Sequence, residues 1–167
     1  MNPWQLAGTS ESSQQIALFC FAAKACKYGF TIAKSQDAYK PLNEFFKAAP
    51  VEELKWLFHI PNGGKRGDTQ RSATIAGGLL KAEGVKAGVH DIMWPLHRVS
   101  MEGKGQSYHG LFIEMKAPRI KTKSNPQSGC SPEQIEFGNF AHNQGFAVHV
   151  CYDWLEAAHI LEWYYTL

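Results

Sequence analysis

The sequence predicts an α/β fold in which helices flank a central mixed β-sheet. Helical periodicity near both ends, short apolar runs bounded by glycine and proline, and their order along the chain predict it. That order, helix, strand, helix, strand, strand, helix, strand, helix, is the pattern of an α/β sandwich. At 167 residues the chain fits one domain, so 1–167 is read as a single unit. Hydrophobic residues at 44% and charged residues at 19% exclude a disordered chain. A formal charge of +2 permits an acidic partner such as nucleic acid without demanding one. No apolar run approaches the roughly 18 residues needed to span a membrane. Met1 to Glu11 lacks a basic segment followed by an apolar stretch, so a cytoplasmic setting is expected. Cys20, Cys26, Cys130 and Cys151 are scattered without a CxxC pair, which reads as reduced thiols and argues against structural zinc.

The first helix is predicted over 10–28. Ser10 is its N-cap, Glu11 complements the dipole of the first turn, and Gly29 ends it. Ile16, Phe19, Ala23 and Cys26 are expected to form its apolar stripe. A short helix follows around Leu42–Ala48, ended by Pro50. Residues 56–60 read as a strand closed by the turn Pro61-Asn62-Gly63-Gly64, and Thr69 to Ala82 as a helix ended by Gly84. Asp91–Leu96 is a strand, 100–109 a polar hairpin loop, and Gly110–Lys116 a strand stopped near Pro118. Ser131-Pro132-Glu133-Gln134 carries Ser at N-cap, Pro at N1 and Gln at N3, a capping box that starts a helix to about Asn143. Phe146–Cys151 is the last strand and Asp153–Tyr165 the closing helix.

Chemistry concentrates at the end of one strand. Glu114 and Lys116 are two apart and so share a sheet face, while Ile113 and Met115 turn the other way. Asp91 opens the neighbouring strand and can approach the same end. Two carboxylates this close repel each other unless a cation sits between them, and Mg²⁺ is commonly held by one or two carboxylates plus waters and phosphate oxygens. Lys116 would orient the attacking water or stabilise charge on a phosphate. By itself E-x-K is commonplace on a solvated strand.

Its surroundings are more specific. HIPNGGKR (His59–Arg66), LLKAEGVKAGVHD (Leu79–Asp91), GLFIEMKAP (Gly110–Pro118) and SPEQ (Ser131–Gln134) follow one another in one order. Together with the SES..Q start at Ser10 and the GFAVHVC segment, this resembles the virus-type replication-repair nuclease (VRR-NUC) family of PD-(D/E)xK phosphodiesterases, of the stand-alone phage or bacterial type. The resemblance covers almost the whole chain except 28–50, an apparent insertion. It implies a restriction-endonuclease-like α/β fold and DNA hydrolysis with Mg²⁺ or Mn²⁺. Asp91 and Glu114 match the metal ligands, together with the Met115 main-chain carbonyl. Lys116 matches the catalytic lysine, Glu11 the acidic residue of the first helix near the metal, and Gln134 a glutamine beside the site. It further implies a homodimer that cuts branched DNA, including four-way junctions, with flap- or end-directed cleavage and a non-cleaving branched-DNA-binding module as alternatives. His90 stands where the family usually has proline, and Gly138 where some relatives carry a tyrosine.

Several residues keep two readings. Gln134 serves the capping box, the site, or both; Glu11 is a metal ligand or only a first-turn carboxylate. Asn62, Gly63, Lys65 and Arg66 form a DNA-contacting turn or an ordinary strand-to-helix connection. Lys121 and Lys123 read as general phosphate attraction. His59 and His149 read as packed, hydrogen-bonded residues, and His97 and His109 as no zinc site. His90 is a plain substitution or a phosphate contact. Trp154, Trp163, Tyr164 and Tyr165 are assigned to the buried face of the last helix.

Overall fold

The computed structural model describes residues 1–36, 49–61, 78–101, 105–122 and 124–167. The expected helix at Leu42–Ala48, the turn Asn62–Arg66 and most of the helix from Thr69 lie outside these residues. Within them, the chain begins with a short helix α1 (Pro3–Leu6) and the long helix α2 (Glu11–Tyr28). Ser10 caps α2, its Oγ accepting the Ser13 amide at 3.2 Å. Gly29 ends α2 with φ +79, a conformation disfavoured for L side chains. A short helix α3 (Phe30–Lys34) follows at once.

The buried face of α2 differs from the predicted one. Gln14, Ala17, Leu18, Phe21, Ala22 and Ala25 are buried, whereas Ile16 is 54% exposed. Both helix faces carry apolar residues, so periodicity alone does not choose between them. The face with three alanines admits a close approach to the sheet and to the last helix. The bulkier Ile16 and Phe19 are left on the side of a surface groove.

The strand expected at 56–60 shrinks to β1 (Phe58–His59), preceded by a 3₁₀ helix (Glu52–Trp56). Val51, Leu54 and Leu57 are buried at intervals of three, a helical rather than an alternating pattern. Residues 78–82 are helical (α4), and Gly84 follows in a turn with φ +97. Strand β2 covers only Ile92–Trp94, because Pro95 brings no amide to the ladder. The 100–109 region is flanked by a two-stranded ribbon of β3 (Arg98–Val99) and β4 (Ser107–Tyr108). Strand β5 (Leu111–Met115) follows, then a 3₁₀ turn (Pro118–Ile120), α5 (Pro132–Asn143), β6 (Ala147–Cys151) and α6 (Trp154–Thr166).

The central sheet has the order β1-β2-β5-β6. β1 and β5 run antiparallel to β2, and β6 runs parallel to β5, so the sheet is mixed as predicted. Ile92, Trp94, Leu111, Ile113 and Met115 form one core with α2 and α6. On the other face Phe112 packs against Phe137 of α5, ring centroids 5.1 Å apart. Two elements are tied by a buried polar link: Gln14 of α2 accepts the Trp154 amide at 2.8 Å and donates to the Gly8 carbonyl. In α6, Trp154 and Tyr164 are buried, but Trp163 is 38% exposed, so the expected fully buried aromatic face is only partly realised. No helix among the described residues is long and apolar enough to cross a membrane.

Candidate active site

The pairing of β2 with β5 sets the centre. Ile92 lies opposite Ile113, so Asp91, one residue earlier, falls opposite Glu114 at the carboxyl end of β5. Asp91 Oδ2 accepts the Met115 amide at 2.9 Å, which fixes its carboxylate against that end. In an extended strand the N–H and C=O of one residue point to the same side. The Met115 carbonyl therefore faces Asp91 as well, while the next amide, Lys116, turns to Cys151 of β6 at 2.8 Å.

Glu114 has no exposed surface. Its Oε1 accepts Lys116 Nζ at 2.7 Å and also the Gln134 amide nitrogen. Gln134 performs both roles the sequence left open. Its Oε1 accepts the Ser131 amide at 2.9 Å, completing the capping box of α5, and its Nε2 is thereby directed at Glu114. The cap of one helix thus sets the rotamer of a residue that reaches the centre.

Glu114 Oε2 is buried and has no hydrogen-bond partner. Burial, and then repulsion from Asp91, raises its carboxyl from 4.5 to about 7, despite the Lys116 ammonium beside it. Burial also raises Asp91, against the Met115 amide and Lys116, and raises Glu11, against Lys116. Burial disfavours the Lys116 charge, yet the hydrogen bond and charge of Glu114, with Glu11 beyond, hold it above its ordinary value. Three carboxylates thus surround one ammonium, with an orphaned oxygen among them. Such a donor set fits a hard divalent cation, which would satisfy that oxygen and relieve the repulsion. Among the described residues no group of three or more His, Cys, Asp and Glu side chains is placed to hold a metal ion by itself. Two carboxylates with a main-chain carbonyl leave room for water, which suits Mg²⁺ better than a structural zinc.

Glu11 stands at the start of α2, and a groove of about 590 Å³ joins it to Asp91 and Gln134. His59 lines the same groove, a placement the sequence reading missed. Its Nδ1 lies 2.9 Å from the Asp91 carbonyl and so donates to it. The Ile60 amide donates to that carbonyl too, so the main chain of Asp91 is held from the β1 side. Only the position of His59 beside a turn signal hinted at this, since contact with Asp91 depends on the β1–β2 pairing. His90 is buried, its Nε2 3.2 Å from the Gln134 carbonyl and its ring edge-on to Phe137. It lies behind Gln134 as a packed residue.

The structure brings together Asp91, Glu114, Met115, Lys116, Gln134 and Glu11. Asn62, Gly63, Lys65 and Arg66 lie outside the described residues, as does Lys123. Lys121 pairs with Glu156 at 3.2 Å and lies over the Tyr152 ring. His97 exchanges a hydrogen bond with Ser107 Oγ at 2.9 Å. His149 is partly buried against Trp163, as expected of a packed residue.

With this geometry in place, the fold can be compared with known structures. It is shared with a VRR_NUC domain protein. The two superpose with a TM-score of 0.56 over 95% of this chain and 90% of the other, at 19% sequence identity. That likeness establishes the restriction-endonuclease-like α/β architecture. No family model matches the sequence, and no curated protein matches it.

Proposed function

We propose that the chain is a VRR-NUC nuclease that hydrolyses phosphodiester bonds of DNA with Mg²⁺ or Mn²⁺. The observation that carries this reading is the buried Glu114 carboxylate, one oxygen unpartnered, set against Asp91 and Lys116. The fold shared with a VRR_NUC domain protein supports it. Asp91, Glu114 and the Met115 carbonyl are the groups that hold the cation, with Glu11 at the groove side. When bound, such a cation lowers the pKa of a coordinated water and neutralises charge developing on the phosphate.

The protein's own groups do the rest. Lys116 remains protonated, because its carboxylate neighbours hold its pKa high. It therefore acts as a hydrogen-bond donor and fixed positive charge toward the phosphate oxygens and the attacking water, rather than as a base. The water oxygen bonds to phosphorus as the bond to the leaving ribose oxygen breaks, the water giving up a proton to solvent and the ribose oxygen taking one from it. Gln134 keeps Glu114 in the orientation that leaves Oε2 free. Asn62, Gly63, Lys65 and Arg66 are proposed to grip the DNA backbone.

Branched DNA, including four-way junctions, is the proposed substrate, with a homodimer placing two centres across it in a cytoplasmic setting. This part rests on the sequence resemblance. Flap- or end-directed cleavage is the alternative. A non-cleaving binding module fits less well, because Asp91, Glu114 and Lys116 are all present, Lys116 bonded to Glu114 and Asp91 to the Met115 amide between them. End-labelled four-way junction, flap and linear duplex, incubated with Mg²⁺ and analysed beside the sedimentation of the protein, separate the readings. Fastest cutting of the junction by a dimer is expected. Preference for flaps or ends, or a monomer, overturns the junction assignment, and tight junction binding without cutting overturns the enzyme.

A further inference from the structure

We propose that the groove between the outer face of α2 and β1 receives one unpaired nucleotide of the DNA substrate, its base packed on Ile16 and Phe19. The inference rests on the nuclease reading and specifies what the substrate presents next to the cut.

Glu11 and Asp91 line the groove together with Ile16 and Phe19, so whatever fills it lies beside the carboxylates. Its volume of about 590 Å³ falls in the range of roughly 300–1,000 Å³ typical of small-ligand sites. That accommodates a nucleotide. Its lining combines two kinds of chemistry. Glu11 and Asp91 are acidic and take a phosphate only through a cation. The remaining α2 wall is neutral, with the apolar Ile16 and Phe19 and the uncharged Ser12 and Gln15. Ser12, Ile16 and Phe19 follow the i, i+4, i+7 spacing of one helix face, one residue from the row that starts at Glu11. A nucleotide combines the same two: a charged phosphate, and a flat, neutral base with an apolar face and polar edges. Stacking of unpaired bases on apolar and aromatic side chains is a general mode of single-strand binding, whatever the sequence. Ser12 and Gln15 supply donors and acceptors for the base edge. Ile16, at 54% the most exposed large apolar residue of α2, acquires a partner in this arrangement.

The test measures binding with Ca²⁺ in place of Mg²⁺, by fluorescence anisotropy. It uses a duplex with a three-nucleotide unpaired extension, the same duplex lacking the base of the first unpaired residue, and fully paired DNA. Wild type is expected to bind the intact extension about tenfold more tightly than the abasic one, as stacking of one base predicts. Ile16→Ala and Phe19→Ala should each lose most of that margin while binding paired DNA as wild type does. Ile16 is half-exposed, so its variant tests the groove even if Phe19→Ala folds poorly. No base-dependent margin in wild type, or an undiminished margin in Ile16→Ala, overturns the inference. Metal-dependent cleavage by wild type without the margin leaves the nuclease reading standing. The margin without any cleavage supports the groove and overturns the nuclease.

Discussion

Replacing Glu114 by glutamine should make the metal-free protein more stable above neutral pH, and the size of the gain can be worked out. A glutamate in the unfolded chain releases its proton near 4.5, whereas Glu114 in the folded chain retains it to about 7. Between those values the folded state binds more protons than the unfolded one, so stability falls as pH rises. The loss is complete above about 7 and absent below 4.5. At about 1.4 kcal/mol per pH unit, the interval corresponds to roughly 3 kcal/mol. Glu114 has no exposed surface, so solvent screening takes little from this figure. Glutamine keeps the shape and accepts the same Lys116 and Gln134 hydrogen bonds, but has no proton to lose. The assay is thermal melting of both proteins in EDTA from pH 5 to pH 8. His90 and His149, whose lowered values act oppositely, largely cancel in the difference between the two curves, while Asp91 and Glu11, coupled to Glu114 by charge, act in the same direction as it does. The variant should gain on wild type by about 3 kcal/mol across that range, which is several degrees in Tm for a domain of this size. The charge of Lys116 is already contained in the value of about 7, so its pairing with the Glu114 carboxylate adds no separate change across the range. A difference curve that is flat with pH would refute the reasoning.

Other consequences follow from single contacts. Gln134→Ala removes both the cap and the bond to Glu114, and should cost about 1 kcal/mol in denaturant melts together with at least tenfold in cleavage rate. Ser131→Ala removes the Oγ that caps α5 but leaves the amide that anchors Gln134; it should cost a similar ~1 kcal/mol while cleavage stays within about twofold. Gly88→Ala should cost about 1–3 kcal/mol and reduce cleavage, because Gly88 has φ +86 and an added Cβ would meet the Glu133 backbone at 2.5 Å. Mg²⁺ or Mn²⁺ should raise the Tm of wild type at pH 8 by several degrees and that of Glu114→Gln far less, as read by the same melts.

Much of this arrangement was legible in the sequence because the signals were local. Ser10, Gly29 and Ser131 with Gln134 marked helix ends through backbone chemistry that needs no partner elsewhere. The two-residue period put Glu114 and Lys116 on one face, and Pro118 marked where their strand stops. What depended on distant contacts was harder to see. The buried face of α2 was misassigned because both faces are apolar, and only packing against α6 and the sheet selects Ala17, Leu18 and Phe21. The strand at 56–60 looked continuous, yet Leu54 and Leu57 at helical spacing drew its first half into a 3₁₀ turn. His59 is hydrogen-bonded as expected but exposed rather than packed, and its partner, the Asp91 carbonyl, is set only by the β1–β2 register. Gln134 kept two readings in sequence, and the geometry shows them to be one: the cap is what turns its amide toward Glu114.

The central claim is that Asp91, Glu114 and Lys116 form a metal-dependent centre that cuts DNA. Its most direct test compares wild type with Lys116→Ala on end-labelled DNA in Mg²⁺, in Mn²⁺ and in EDTA. Cutting by wild type in either metal, none in EDTA, and a loss of a hundredfold or more in a folded Lys116→Ala protein are the expected results. Cutting that survives EDTA, or a Lys116→Ala protein as active as wild type, would contradict the account.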